Sequence, residues 1–234
     1  MPQAASAYAD TRNMYAIHML FRREFGLLPD LVGSVAHGDE ERAKVISGHI
    51  SLMTHTLGHH HEAEDEVLWP LLLARAPKDV DPVIRLAEGH HERLDILVHR
   101  VEMPLADWAS GAPSGASDAL ALALAELDVV LFEHMDLEEQ LVLPVVERHV
   151  LRSEWEAMEQ RSVAGIAPQN IPLIFGMALY ESGEEIVPEP LRAEIVPIAP
   201  GIYADYAQRV YRTRTPPRAT DVVFGTPSVG AAAH

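Results

Sequence analysis

Apolar residues along the first 150 positions recur at the three-and-four spacing of amphipathic helices. Met14, Ile17, Phe21, Phe25, Leu28, Val32 and Val35 form one stripe, with His18 on it and Pro29 as a candidate bend. A second stripe opens after Asp39, a good N-cap, and runs to about Leu73 through Val45, His49, Leu52, Met53, His60, Glu64, Val67, Leu68 and Leu71. A third helix is predicted from Asp81-Pro82, where proline suits the first turn. The fourth carries Leu127, Val130, Leu131, His134, Leu137, Glu138, Leu141 and Val145.

Beyond residue 150 the rhythm breaks. Ser153 to Glu156 reads as a capping box opening a short helix to about Ala164. Prolines then recur, so only short helices fit: Ile171 to Ser182, Glu189 to Ile195 and Tyr203 to Arg212. Ile171-Pro-Leu-Ile-Phe-Gly-Met-Ala-Leu-Tyr180 is too apolar to lie in water, so it should pack on the bundle or on a second subunit, making a homodimer one option. From about Thr215 the composition suits disorder. The expected fold class is therefore all-α: an antiparallel up-down four-helix bundle over 1–150, a short-helix C-terminal extension over 151–214, and a tail over 215–234.

Two segments of the bundle repeat one another. His60 precedes Glu64-Asp65-Glu66 and Pro70, and His134 precedes Glu138-Glu139-Gln140 and Pro144 at the same offsets. Each has a histidine upstream at nearly equal distance, His18 and His91. The arrangement reads as a half-site of two imidazoles and one carboxylate, made twice.

An antiparallel pair turns midway between residues at one height. The midpoints fall at Gly38-Asp39, at Pro77-Lys78 and within Gly111-Ala112-Pro113-Ser114-Gly115, all turn chemistry. Four such helices put His18, His60, Glu64, His91, His134 and Glu138 in one layer. A histidine and a glutamate four apart share a helix face, and here that face is apolar. A buried carboxylate costs several kcal/mol unless it is paired or metal-bound. One such pair alone would read as a hydrogen-bonded core pair. Two matched pairs read as a two-metal site.

Some assignments stay open. His59, His60 and His61 run together, and His60 is preferred because it repeats the offset of His134. His90 and His91 both have apolar neighbours at helical spacing, and the half-site spacing favours His91. Asp65 and Glu139 suit the orienting of ligand imidazoles. His37, His49, His55, His99, His149 and His234 read as surface or ordinary core histidines, although His49 and His55 share the second helix with His60.

Composition narrows the chemistry. The 234-residue chain has no cysteine, so a metal must be held by nitrogen and oxygen, which suits iron, manganese or zinc. With 18 basic and 35 acidic side chains the formal charge is −17, unsuited to a nucleic-acid partner. Neither a signal peptide nor a membrane span is visible, so a cytoplasmic location is expected. Only Glu88-x-x-His91 matches the ferritin-type Glu-x-x-His motif, and no His-Glu-x-x-His is present.

In order and spacing, His18, His60 with Glu64, His91, and His134 with Glu138 resemble the hemerythrin-like, HHE cation-binding family over roughly residues 10–150. Phe21-Arg-Arg-Glu-Phe-Gly-Leu-Leu-Pro29 and Glu64-Asp-Glu-Val-Leu-Trp-Pro70 are similar to a bacterial branch of it. The resemblance implies two iron ions with an oxo or hydroxo bridge, meeting dioxygen or hydrogen peroxide. Glu64 and Glu138 would be the bridging, catalytic carboxylates, with a small organic substrate possible.

Oxygen carriers of the family have a second histidine four residues away on the third helix. Here Ala87 and Asp95 flank His91, and Leu94 follows His90. Two octahedral irons need about twelve positions, and these ligands with one bridge leave about two open. That favours an oxidoreductase over a carrier. A fifth ligand from His55, His59, His61 or Tyr15 would close one. Non-catalytic binding of oxygen, nitric oxide or iron is the alternative.

Overall fold

The computed structural model describes residues 7–111, 115–187 and 189–222, and among these the chain is helical with no strand. Helix α1 spans Arg12–Gly33 and continues through Pro29. Helix α2, Glu40–Ala63, starts where the Asp39 carboxylate accepts from the Arg42 backbone N–H at 3.0 Å. The next helices are α3 at Trp69–Arg75, α4 at Asp81–Ala109, α5 at Ala116–Leu137 and α6 at Leu143–His149. Helices α7 (Arg152–Ala164), α8 (Ile171–Ser182), α9 (Glu189–Ile195) and α10 (Ala199–Val210) follow. No single helix among the described residues is long and apolar enough to cross a membrane.

The second and fourth predicted helices are each interrupted. A π-helical turn at Glu64–Leu68 joins α2 to α3, and another at Glu138–Val142 joins α5 to α6. The repeated proline explains both. Pro70 and Pro144 cannot donate an i→i−4 bond, and their rings crowd the carbonyl one turn back. The preceding residues, Trp69 and Leu143, instead donate to the Glu64 and Glu138 carbonyls, five back. A π-turn shifts the facing of everything after it, and such turns gather at functional sites. Leu141, expected inside, lies in one of them and is exposed. Val45 is exposed as well, because Ile46, His49 and Ile50 take the inward face of α2.

Helix α1 packs on α2 and α5, and α4 packs on the same two, so the four long helices make a closed ring of contacts. Two separate apolar clusters fill it. One holds Phe21, Leu57, Leu94 and Met135, and the other Met14, Ala63, Ala87 and Val142. Along each helix the candidate ligands lie where one set gives way to the other. The core is thus two apolar layers with a polar layer between them.

The remaining helices lie on that ring. Helix α7 contacts α2, α8 contacts α1, and α10 contacts α8 and α2. Leu173, Ile174, Met177, Ala178 and Leu179 are buried within the chain. Gly176 is where α8 meets α10, since a Cβ there would stand 2.4 Å from the Ala199 carbonyl oxygen.

Three boundaries differ from the sequence reading. Helix α7 begins at Arg152, with Glu154 rather than Glu156 reaching back to the Leu151 N–H at 3.0 Å. Helix α10 begins at Ala199 rather than Tyr203, since Pro200 fits a first turn. The tail expected to be disordered from Thr215 begins with residues that are held. The Tyr180 hydroxyl donates to the Pro216 carbonyl at 2.7 Å, and Ala219 is buried with its N–H 3.3 Å from a Glu181 oxygen. The rest of that tail, from residue 223, lies outside the described residues, as do Ala112, Pro113 and Ser114 of the expected turn between α4 and α5.

One buried carboxyl on α5 stands apart from the polar layer. Burial pushes Asp128 up to about 8, and its Oδ1 has no hydrogen-bond partner. An acid whose folded pKa is raised stabilises the fold fully only below its ordinary value of 3.8, and that contribution is lost as pH climbs towards about 8. Asp128→Asn is therefore expected to gain on the order of 2–4 kcal/mol over the parent above pH 8 and little near pH 4. Urea denaturation at the two pH values checks this. An equal effect at both would mean the carboxyl is not desolvated.

Candidate metal centre

Seven side chains converge in the polar layer. His18 comes from α1, His60 and His61 from α2, His91 from α4 and His134 from α5. Glu64 and Glu138 open the two π-turns. All seven are buried. They form two groups, His18 with His60 and Glu138, and His61 with Glu64, His91 and His134. Within each group the candidate donor atoms lie within 4.8 Å of one another.

The six residues singled out in the sequence are all here, but they are not partitioned as two sequence-local half-sites. The carboxylates cross over. Glu64 Oε1 lies 3.4 Å from His60 Nε2, while its Oε2 lies 3.5 Å from His91 Nε2. Glu138 Oε2 lies 3.3 Å from His18 Nε2 and 3.7 Å from His134 Nε2. Each carboxylate therefore faces both groups, which is the disposition a bridge needs.

His61 is the residue the single-ligand choice on α2 passed over. Neighbouring helix positions diverge by about 100°, so His60 and His61 enter opposite groups. The His60 ring meets His18 at a centroid distance of 5.8 Å, and His61 stacks on His91 at 4.1 Å. The signal was present, because His60 is four residues before Glu64 and His61 is three, and both spacings share a face. His90 is only partly buried and stands at the rim, so His91 is the inward member of that pair. The other candidates for a fifth ligand stay outside: His55 and His59 pair with each other at 3.0 Å, and Tyr15 is exposed.

Tautomers are set from outside the layer. His18 Nδ1 is 2.9 Å from Glu139 Oε1, and His91 Nδ1 is 2.7 Å from Asp65 Oδ1. A carboxylate only accepts, so each Nδ1 carries the proton and each Nε2 presents a lone pair inward. Arg22 fixes Glu139 at 2.6 Å, and the Trp69 indole N–H donates to Asp65 at 2.9 Å. The two arrangements repeat one another: a histidine from a facing helix is held by the acidic residue immediately after a crossing glutamate.

The inward lone pairs then face carboxylate oxygens, an arrangement that repels unless something positive lies between. His18, His60 and His61 Nε2, and both oxygens of Glu64 and Glu138, are buried without a hydrogen-bond partner. Such atoms are costly to bury. A cation accepting electron pairs from all of them removes that cost, so the donor set fits a metal.

Burial opposes the charging of His18, but Glu138 and Glu139 outweigh it and raise this imidazole, so that without metal it supplies positive charge between them. Burial, with neighbouring imidazoles, pushes His60 down to about 3 and His134 to about 4, so both are neutral and ready to ligate near pH 7. Burial, reinforced by Glu138, pushes Glu64 well above its ordinary value. Burial opposes ionisation of Glu138 too, but His134 and His18 outweigh it and hold that group at about 2.

The sequence model of the hemerythrin HHE cation binding domain matches residues 9–146. No curated protein and no solved structure matches the chain.

Proposed function

Because the chain belongs to the hemerythrin HHE cation-binding family, we propose that the centre holds two iron ions and reacts with dioxygen or hydrogen peroxide as an oxidoreductase. The observation that carries this reading is the crossing of Glu64 and Glu138 between two histidine groups. In the same reading α1, α2–α3, α4 and α5–α6 run up and down as an antiparallel four-helix bundle. Residues 151–214 form a helical extension upon it, and the protein works in the cytoplasm.

His18 and His60 with Glu138 serve one ion, and His61, His91 and His134 with Glu64 serve the other. When bound, the iron pair supplies electrons and an open coordination position. The chain supplies the rest. Glu139 and Asp65 hold the Nδ1 protons of His18 and His91, which keeps their Nε2 lone pairs aimed inward. The apolar layers above and below exclude water.

His61 gives a second reading specific support. A fifth imidazole leaves one open position fewer than the sequence count, bringing the centre closer to a reversible oxygen binder. Anaerobic reduction of the iron-loaded protein, followed by titration with oxygen and then peroxide, separates the two. The oxidoreductase reading expects prompt conversion to the ferric state and consumption of added peroxide. Oxygen taken up and released again under vacuum would establish the carrier reading instead.

A further inference from the structure

A cavity of about 130 Å³ lies between α1, α2, α7 and α8, and His60 forms part of its wall. Phe21, Trp155, Met158, Ile174 and Phe175 supply most of the apolar lining. Asn13, Thr56, Glu159 and Ser162 bring polar groups to the lining, and the first three are already engaged. Asn13 Nδ2 donates to Glu159 at 2.9 Å, and the Thr56 hydroxyl donates to the Leu52 carbonyl at 2.7 Å. No lysine or arginine lines the cavity.

These facts define a class of occupant. An apolar cavity of about 150 Å³ is known to take up benzene, so this volume suits one small ring. An anion would find no cationic partner and would meet Glu159 across the cavity, which leaves neutral molecules. Two of the four walls, α7 and α8, lie beyond residues 9–146, so the cavity is completed by this chain's own C-terminal helices.

We propose that this cavity is a binding site for a small neutral organic molecule about the size of one aromatic ring, held against His60 at the edge of the candidate metal centre. Its functional meaning rests on the di-iron reading above; the binding itself does not require metal. His60 is the link, since one residue serves both the cavity wall and the metal group with His18 and Glu138.

The test uses toluene and benzoate as probes on the full chain, with and without iron. Expected are saturable toluene binding by ligand-detected NMR, a rise in Tm, and benzoate weaker by at least about tenfold for its buried charge. Ala178→Phe, which fills the α8 wall, is expected to abolish toluene binding while iron content stays at the parent level. Benzoate against toluene on the unaltered protein makes the same discrimination if that variant does not fold. No toluene binding at its solubility limit, or equal binding of both probes, overturns the proposal. Iron measured on the same samples keeps the two readings apart. Normal iron without toluene binding removes only the cavity, and toluene binding without iron removes only the metal assignment.

Discussion

Glu64→Ala and Glu138→Ala are each expected to cost the protein at least about half of its bound metal, because each carboxylate faces both histidine groups. For Glu64→Ala the effect on stability should change sign with metal. In the metal-free protein Glu64→Ala removes a fully buried carboxylate whose ionisation burial opposes and whose oxygens have no hydrogen-bond partner, so that variant should unfold no earlier than its parent. Glu138→Ala, in contrast, also removes the group facing His18 and His134 and should cost stability. In the metal-loaded protein the parent gains binding energy that the variant lacks, about 4 kcal/mol when free metal is a thousandfold above Kd. Metal analysis with thermal unfolding, before and after chelation, checks both halves. Variants that keep their metal, or a Glu64→Ala protein that unfolds earlier even when stripped, would mean the two glutamates serve packing alone. His61→Ala belongs in the same experiment, with His37→Ala and His149→Ala as controls outside the layer. Loss on His61→Ala and none on His90→Ala would fix which members of the two adjacent histidine pairs ligate.

Much of this centre is legible in the chain because its parts obey helical periodicity. His18, His91 and His134 sit on apolar stripes, and a stripe has one inward direction. The turns at Gly38-Asp39 and Pro77-Lys78 are local chemistry, and they bring distant stripes to one height. What escaped was whatever depends on rotation within the layer. Taking the repeat as two self-contained half-sites assumes that each carboxylate serves the histidine on its own helix. The π-turns begin at those glutamates. The family resemblance implied that Glu64 and Glu138 bridge, but spacing alone did not say which histidines each would face. Repeat matching also left His61 as only one of four candidates for a fifth ligand, since its counterpart position after His134 is Met135, which lies in the apolar cluster.

A second polar assembly was invisible for a different reason. Glu24 and His49 are buried, and the bundle itself supplies only Arg23 and their contact with each other. Their other partners come from the C-terminal segment. Glu24 accepts from the Arg23 Nε–H at 2.8 Å and from the Tyr203 hydroxyl at 3.3 Å, and it also accepts from the Tyr211 hydroxyl. His49 lies 3.1 Å from the same carboxylate and 3.0 Å from the Tyr206 hydroxyl. Arg23 reaches on to Glu181 of α8 and lies over the rings of Tyr180 and Tyr203 at about 5 Å. Sequence periodicity sees which face is inward. It does not see that a charged pair on that face is answered by tyrosines far along the chain.

Glu24→Ala should consequently be among the most damaging single changes outside the metal layer. Burial opposes ionisation of this carboxyl, yet Arg23 and His49 outweigh it and hold the group at about 2, below its ordinary 4.5. A depressed folded pKa means stabilisation that is fully present above the unfolded value and is lost as pH falls from about 4.5 towards 2. The shift corresponds to roughly 3 kcal/mol. Removing one partner of a buried pair costs about 3–5 kcal/mol, because the other charge is left in the core. Arg23 would retain Glu181 and the Met177 carbonyl but lose its adjacent carboxylate, and three hydroxyl or imidazole partners would lose their acceptor. The expected result is a loss of that size in urea denaturation at pH 7, and a parent protein whose advantage over Glu24→Ala narrows between pH 4.5 and 2. Because Tyr203 and Tyr211 lie in and just after α10, the same variant should loosen the C-terminal helices first. Faster amide exchange in α8 and α10 than in α4 and α5 would report that order. A loss below about 1 kcal/mol, the range of a solvent-exposed pair, would show that the cluster is hydrated and does not lock these helices to the core.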